Sequence, residues 1–326
     1  MKAAFLRAFG SPLTIEEVDD PRPGPGEAVI RVMACGIDGT DLKLLDGFGY
    51  TPELPFVMGH EPAGVVESLG EGVTSIRPGD RVIPYIFLIP PESRWFGSER
   101  EQLCPEMTGV IGVKGHPGGY AERLALPAHQ LVPIPEGVAF HDAAVHCDAG
   151  LTAFHAVRRA RITLGENVLV IGVGGVGSFA VQYAELAGAR VIALDKTEEK
   201  RAWARELGAE AAAVGALKVD CVLDIVGTEE SIAVALDAVS PGGRIVVVGY
   251  TPDVFSLSGK RLAQNEIEIL GSRAGSRRDL AAALDLFAQG RIRSIVTDRA
   301  PLTNVNEALA KLRTGNVLGR MVLEPG

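Results

Sequence analysis

The segment VLVIGVGGVGSFAVQYA constrains the fold more than any other part of this 326-residue chain. An apolar run leads into Gly172, Gly174 and Gly177, spaced GxGxxG, and a helical pattern opens inside the glycines. The first glycine permits a tight turn, the second lets the backbone approach a pyrophosphate, and the third lets helix and strand pack closely. The helix N-terminus is then aimed at the phosphates. A glycine-rich turn beside an incidental surface acid would share the motif, so its neighbourhood matters. A second apolar run, ARVIALD, ends in Asp195, 18 residues beyond Gly177, where a carboxylate accepts hydrogen bonds from the adenosine ribose. A carboxylate there repels a 2′-phosphate, so NAD is expected ahead of NADP, with the nearby charges of Lys196 and Lys200 softening the preference.

The alternation continues downstream. Short apolar runs (DCVLDIVG, RIVVVGY) alternate with longer amphipathic ones (TEEKRAWARELG, ESIAVALDAVS), which predicts a doubly wound parallel sheet. Residues 1 to about 145 have another texture. Runs such as EAVIRVMA, AGVVESLG and DRVIPYIF are separated by PRPGPGE and RPGD, the punctuation of an all-β domain. The stretch 85–120 is the one long irregular region, the kind of segment that is functional or forms an inserted lobe. There is no internal repeat.

Composition narrows the partners. An apolar fraction of 47% with 22% charged residues is that of a soluble globular protein. The most apolar segment is broken by glycines before it reaches a membrane-spanning length, and the N-terminal stretch has no signal-peptide core, so the default location is cytoplasmic. Cysteines 35, 104, 147 and 221 show no close pairing, as suits a reducing compartment. A formal charge of -9 argues against nucleic acid or an anionic membrane as partner and leaves a small-molecule substrate.

A second constellation lies in the β-rich part: CGIDGTDLKLLDG, then LPFVMGHEPAGVVESLGEGVTSIRPGDRV. With GGYAERLALPAHQLVPIPEG, AGLTAFHAV, the GxGxxG unit and NEALAKLRTGNVLGRMVLEP in the same order, the chain resembles the zinc-type medium-chain alcohol dehydrogenase superfamily over nearly its whole length. The resemblance implies a GroES-like β-barrel catalytic domain (1–147 and 275–326) with a Rossmann cofactor domain (148–274) inserted. It also implies hydride transfer between nicotinamide and an alcohol, polyol or sugar, or the matching carbonyl, and a homodimer or homotetramer with the sheet edge near EIEILGS as candidate interface.

The family's catalytic zinc is held by the cysteine of CGxC, the histidine of GHE and a cysteine just before AG, with the glutamate of GHE beside it. Here those positions are Asp38, His60, Asp148 and Glu61, so both thiolates have become carboxylates. Two readings stay open. In one the ion is kept: two aspartates and a neutral histidine carry the charge of two thiolates and a histidine, carboxylates are ordinary zinc ligands, and the harder set tolerates Mn²⁺ or Mg²⁺ better. Some archaeal glucose dehydrogenases of the superfamily also use a carboxylate at the first position. In the other the ion is lost, as in the quinone and enoyl reductase branches, although those typically lack the GHE histidine retained here. Three carboxylates around one histidine without a cation would also raise one another's pKa values.

Further carry-over assigns Thr40 to the family's hydroxyl proton relay, Thr152 to a place beside the nicotinamide, and Arg320 to the cofactor phosphates. Lys43 stands where a relay histidine often stands, either as a relay or as a solvated lysine, and Gly39 lacks the charge that some relatives use at the pyrophosphate. Tyr50 and Ile86 are pocket-lining positions only by this resemblance. The family's structural zinc needs Cx2Cx2Cx7C. Counting back from Cys104 gives Pro90, Ser93 and Phe96, so that zinc is expected to be absent and the loop to hold by packing around Trp95 and Phe96. His116, His129, His141 and His155 read as capping, solvated or packing residues. His146, two residues from Asp148, is either a packing residue or a substitute ligand if it shares a face with Asp148 on an extended segment.

Overall fold

The computed structural model describes residues 1–211 and 218–326. The chain forms two compact units: Met1–Asp148 with Ser276–Ala288 and Val296–Gly326, and Ala149–Gly275 with Gln289–Ile295. Three details differ from the boundaries read in the sequence, the smallest being Gly275, which ends the main stretch of the second unit. Asp148 falls in the first unit, and the short segment 289–295 falls in the second.

The first unit is organised by the strand Glu27–Ile37, whose sequence EAVIRVMACGI is buried along most of its length. Such a run can only sit in the middle of a sheet, with both faces covered. Among the described residues it pairs antiparallel with Glu61–Leu69, Arg123–Pro127 and Arg320–Glu324. Register then decides what meets at its C-terminal end: Gly36 lies opposite Glu61, and Ile37 opposite Met321. The residue that leaves the strand is Asp38, so sheet pairing alone collects Asp38, Glu61 and Arg320 at one place. Gly36 is required there, because a Cβ would overlap the Glu61 carboxylate.

The stretch 85–120 is more regular than its sequence suggests. Phe87–Leu88, Gly109–Ile111 and Gly115–His116 form a small sheet, from runs too short for alternation to reveal. The lobe is tied to the helix Arg277–Ala288. The Arg277 guanidinium lies 4.3 Å from the centre of the Phe96 ring and 5.1 Å from that of Tyr85, and its Nε donates to the fully buried Glu101 at 2.9 Å. Ser93 and Cys104, at two of the four places where the structural zinc ligands would fall, lie 3.6 Å apart as hydroxyl and thiol.

In the second unit, six described strands form a parallel sheet in the order 210–211, 190–194, 167–171, 219–224, 239–247, 268–271. Numbered along the chain this is 3-2-1-4-5-6, the order of a dinucleotide-binding Rossmann sheet. The doubly wound sheet and the β-rich catalytic fold therefore appear as expected. Leu169, Ile192, Val222 and Ile245 fill its core.

Candidate active site

Asp38 has two jobs. Its Oδ1 accepts from the backbone N–H of Thr40 at 2.7 Å and of Asp41 at 3.3 Å, capping the helix Gly39–Leu45, while Asp41 returns the bond by accepting from Asp38 N at 2.9 Å. This reciprocal cap satisfies donors that a helix start leaves exposed. It also fixes the second oxygen, Oδ2, which faces His60 Nε2 at 3.6 Å. Asp148 Oδ2 approaches the same nitrogen at 3.8 Å, from the turn His146–Gly150. One ligand atom from each of Asp38, His60 and Asp148 lies within 4.8 Å of the others.

The other ring nitrogen of His60 has its own acid. Asp41 Oδ1 stands 3.7 Å from Nδ1, and neither atom has a hydrogen-bond partner among the described residues. Asp41 is fully buried, and its Oδ2 also accepts from the Tyr120 hydroxyl at 2.8 Å. Asp41 and Tyr120 were not singled out in the sequence. The spacing Asp38-x-x-Asp41 before an apolar run is a capping-box signal that would have drawn attention to Asp41; nothing local marks Tyr120.

Glu61 is set apart from the three. Its Oε1 accepts from Arg320 Nη2 at 2.8 Å, and that nitrogen lies 3.7 Å from Asp38 Oδ2. Arg320, expected at the cofactor phosphates, is buried in this charge network.

Electrostatics follow from burial and pairing. Burial would raise the Asp38 carboxyl, but the facing His60 and Arg320 override it and hold Asp38 well below the ordinary carboxylate range. Burial favours a neutral His60, yet the Asp38 charge and the facing carboxylates of Asp148 and Asp41 push it well above the usual histidine value. Burial pushes Glu61 up to about 8 against the pull of Arg320, with the Asp38 and Asp148 charges adding to the rise. Lys43, half-buried one turn along the helix from Asp38, is lowered by burial despite the two aspartates. The cluster therefore attracts a positive charge at the point His60 Nε2 faces. Protonated His60 meets that demand, and a divalent cation held by His60, Asp38 and Asp148 would meet it with the ring neutral. The orphaned Nδ1 and Asp41 Oδ1 fit this state, since a metal-bound histidine donates its other N–H to a carboxylate.

Thr40 is half-buried in the first turn of the capped helix. His146 is not one of the grouped ligands; the segment is helical rather than extended, its Nδ1 lies 2.8 Å from Asp142 O, and its ring packs edge-on against Phe287. His141 lies in the helix Phe140–Ala144, and His116 Nδ1 meets Pro117 O.

In the second unit Gly172 and Gly174 lie between the strand Asn167–Ile171 and the helix Gly175–Leu186, and Gly177 lies in the first turn of that helix. A Cβ on Gly177 would overlap Gly172 O, whereas one on Gly174 would meet only open space, so backbone there is left accessible to a ligand. Asp195 ends the next strand and accepts from Val173 N at 2.8 Å, which ties it to the glycine turn. The ammonium of Lys196 is engaged by Glu230 at 3.2 Å, and Lys200 N is capped by Thr197. Thr152 is buried on the helix Leu151–Ala160.

A β-rich unit carrying a histidine–carboxylate cluster, together with a dinucleotide-binding sheet, defines a nicotinamide-dependent oxidoreductase. Residues 24–136 match the family described as alcohol dehydrogenase GroES-like domain, and residues 175–289 match zinc-binding dehydrogenase. An alcohol dehydrogenase of Geobacillus stearothermophilus is 36% identical over 99% of both chains. The acryloyl-coenzyme A reductase of Metallosphaera sedula is 31% identical, again over 99% of both. The structure of a cobalt- and zinc-bound thermostable alcohol dehydrogenase from Pyrobaculum aerophilum superposes with a TM-score of 0.93 at 33% identity, covering 100% of this chain and 99% of the other. The chain belongs to the zinc-type medium-chain dehydrogenase/reductase superfamily. Among its described residues, no helix is long and apolar enough to cross a membrane.

Proposed function

We propose that the protein is an NAD-dependent, metal-assisted dehydrogenase that oxidises an alcohol, polyol or sugar or reduces the matching carbonyl. The observation that carries this reading is the meeting of Asp38, His60 and Asp148 ligand atoms within 4.8 Å of one another. These three would hold a divalent ion, zinc or a harder cation, and the cobalt and zinc bound by the Pyrobaculum relative support metal binding in this chain. When bound, the ion supplies a Lewis acid for the substrate oxygen, and the nicotinamide supplies or accepts the hydride.

The chain's own residues do the rest. Asp38 keeps Oδ2 turned inward because Oδ1 is held by the helix cap. Asp41 orients His60 through Nδ1. Thr40 relays the substrate's proton, its hydroxyl accepting one as it passes its own onward, and half-buried Lys43 stands one turn further along the same helix. Glu61, neutralised by Arg320, is available as an additional ligand. In the cofactor unit, Gly172, Gly174 and Gly177 cradle the pyrophosphate and Asp195 accepts from the ribose hydroxyls. The pairing of Lys196 with Glu230 supports NAD, because it offsets a charge next to Asp195 in sequence that would welcome a 2′-phosphate.

A second reading, a metal-free reductase of activated C=C bonds, is favoured by the Metallosphaera relative. Elemental analysis of the purified protein beside Asp38→Ala and Asp148→Ala separates the two. The expected result is about one divalent ion per chain in the parent, loss in both variants, and oxidation of an alcohol, polyol or sugar panel that stops on chelation. A metal-free parent that reduces enones at full rate would replace the first reading with the second.

A further inference from the structure

Tyr120 is fully buried, and its hydroxyl reaches the candidate metal centre through one intermediate, Asp41. Asp41 Oδ2 accepts two hydrogen bonds, from the Tyr120 hydroxyl at 2.8 Å and from Asp38 N at 2.9 Å. Both donors act on the same oxygen, so the carboxylate is held with Oδ1 turned toward His60 Nδ1 at 3.7 Å. Leaving a buried acceptor and a buried ring nitrogen without hydrogen bonds is costly for each group. Here a small movement of His60 would join the two atoms.

The phenol ring is also built against the segment that carries His60. Tyr120 N donates to Met58 O at 3.0 Å, Gly119 N donates to Gly59 O at 2.7 Å, and Gly59 lies so close to the Tyr120 ring that a Cβ there would collide with it. Tyr120 therefore touches both ends of the Asp41–His60 pair: the acid through its hydroxyl, and the backbone before the histidine through its main chain and ring.

We propose that Tyr120 is a positioning residue of the metal centre, fixing Asp41 so that His60 presents Nε2 to a cation shared with Asp38 and Asp148. This rests on the metal-bound reading above. Tyr120 touches neither substrate nor cation and acts only through Asp41. A phenylalanine would pack in the same place and lose the hydroxyl alone.

The test is a double-mutant cycle on metal affinity, read on folded protein by chelator competition with Zn²⁺ and by the visible spectrum of the Co²⁺-loaded form. Parent, Tyr120→Phe, Asp41→Asn and the double variant are compared, each checked by thermal unfolding of the metal-free protein. Tyr120→Phe is expected to weaken Zn²⁺ binding about 10–100-fold, the usual effect of losing an outer-shell partner. It should also alter the Co²⁺ spectrum, while the metal-free protein stays folded with an unfolding temperature lowered only by the few degrees that one buried hydrogen bond supplies. In the Asp41→Asn background the same change should add almost nothing, because the two act as a unit. Parent-like Zn²⁺ affinity in Tyr120→Phe, or effects that multiply in the double variant, would overturn the role of Tyr120 and leave the metal site standing. A parent that binds neither ion overturns both together.

Discussion

Replacing Arg277 with methionine tests what holds the 85–120 lobe to the helix Arg277–Ala288. Arg277 Nε donates to Glu101 Oε1 at 2.9 Å, its backbone N–H donates to Oε2 at 3.1 Å, and its other nitrogens reach His129 O at 2.7 Å and Gln130 Oε1 at 3.1 Å. Methionine keeps much of the apolar stem over Phe96 and Tyr85 but removes the cation. The Glu101 side chain, fully buried, is then left with backbone donors, chiefly Gly97 N at 2.7 Å. Removing one partner of a buried ion pair costs about 3–5 kcal/mol, and the lost ring contacts add up to roughly 1 kcal/mol more. For a unit of roughly 190 residues each kcal/mol is worth about 2–4 °C, so the unfolding temperature should fall on the order of 10 °C. Glu101→Gln, which keeps an acceptor for Gly97 and leaves Arg277 partly solvated, should cost less, and the double variant should lose less than the sum of the singles. Differential scanning calorimetry gives the temperatures, and limited proteolysis reports whether cleavage concentrates between residues 90 and 104. A parent-like unfolding temperature for Arg277→Met would refute the reasoning, as would strictly additive losses in the double variant.

Two further predictions concern the cofactor unit. Gly174→Ala should leave the unfolding temperature unchanged but weaken NAD binding at least tenfold, because its Cβ would occupy the open space over the turn; Gly177→Ala, which collides with Gly172 O, should lower stability itself. Fluorescence titration with NADH and thermal unfolding, measured on both, distinguish the cases. Asp195→Ser should shift the kcat/KM ratio toward NADP by about tenfold or more, since one like-charge contact near the surface is worth a few kcal/mol at most. It should also cost about 1 kcal/mol of stability through the lost bond to Val173 N. An unchanged NAD-to-NADP ratio would remove Asp195 from the ribose site.

Much of the cofactor unit was legible because its signals are local. The GxGxxG turn, the strand before it and the acid after the next strand are each set by neighbours within a few residues, and the described sheet follows the 3-2-1-4-5-6 order that such units build. The candidate site was legible only in part. Asp38, His60, Asp148 and Glu61 stood out by their motif positions, but the motif does not say which of them face one another. The fold groups the first three and turns Glu61 to Arg320, 259 positions away.

What sequence alone determined here is the pair of architectures and the chemistry available at the site: two carboxylates replacing thiolates, one histidine retained, and one structural-metal cysteine left of four. Tertiary structure decided which groups act together. Asp41 meets Tyr120 across 79 positions and Glu101 meets Arg277 across 176. Those partners are selected by strand register and by how distant elements close on one another. A helix cap is specified within a single turn, whereas a contact between distant residues exists only once the intervening chain has folded, so no local pattern records it.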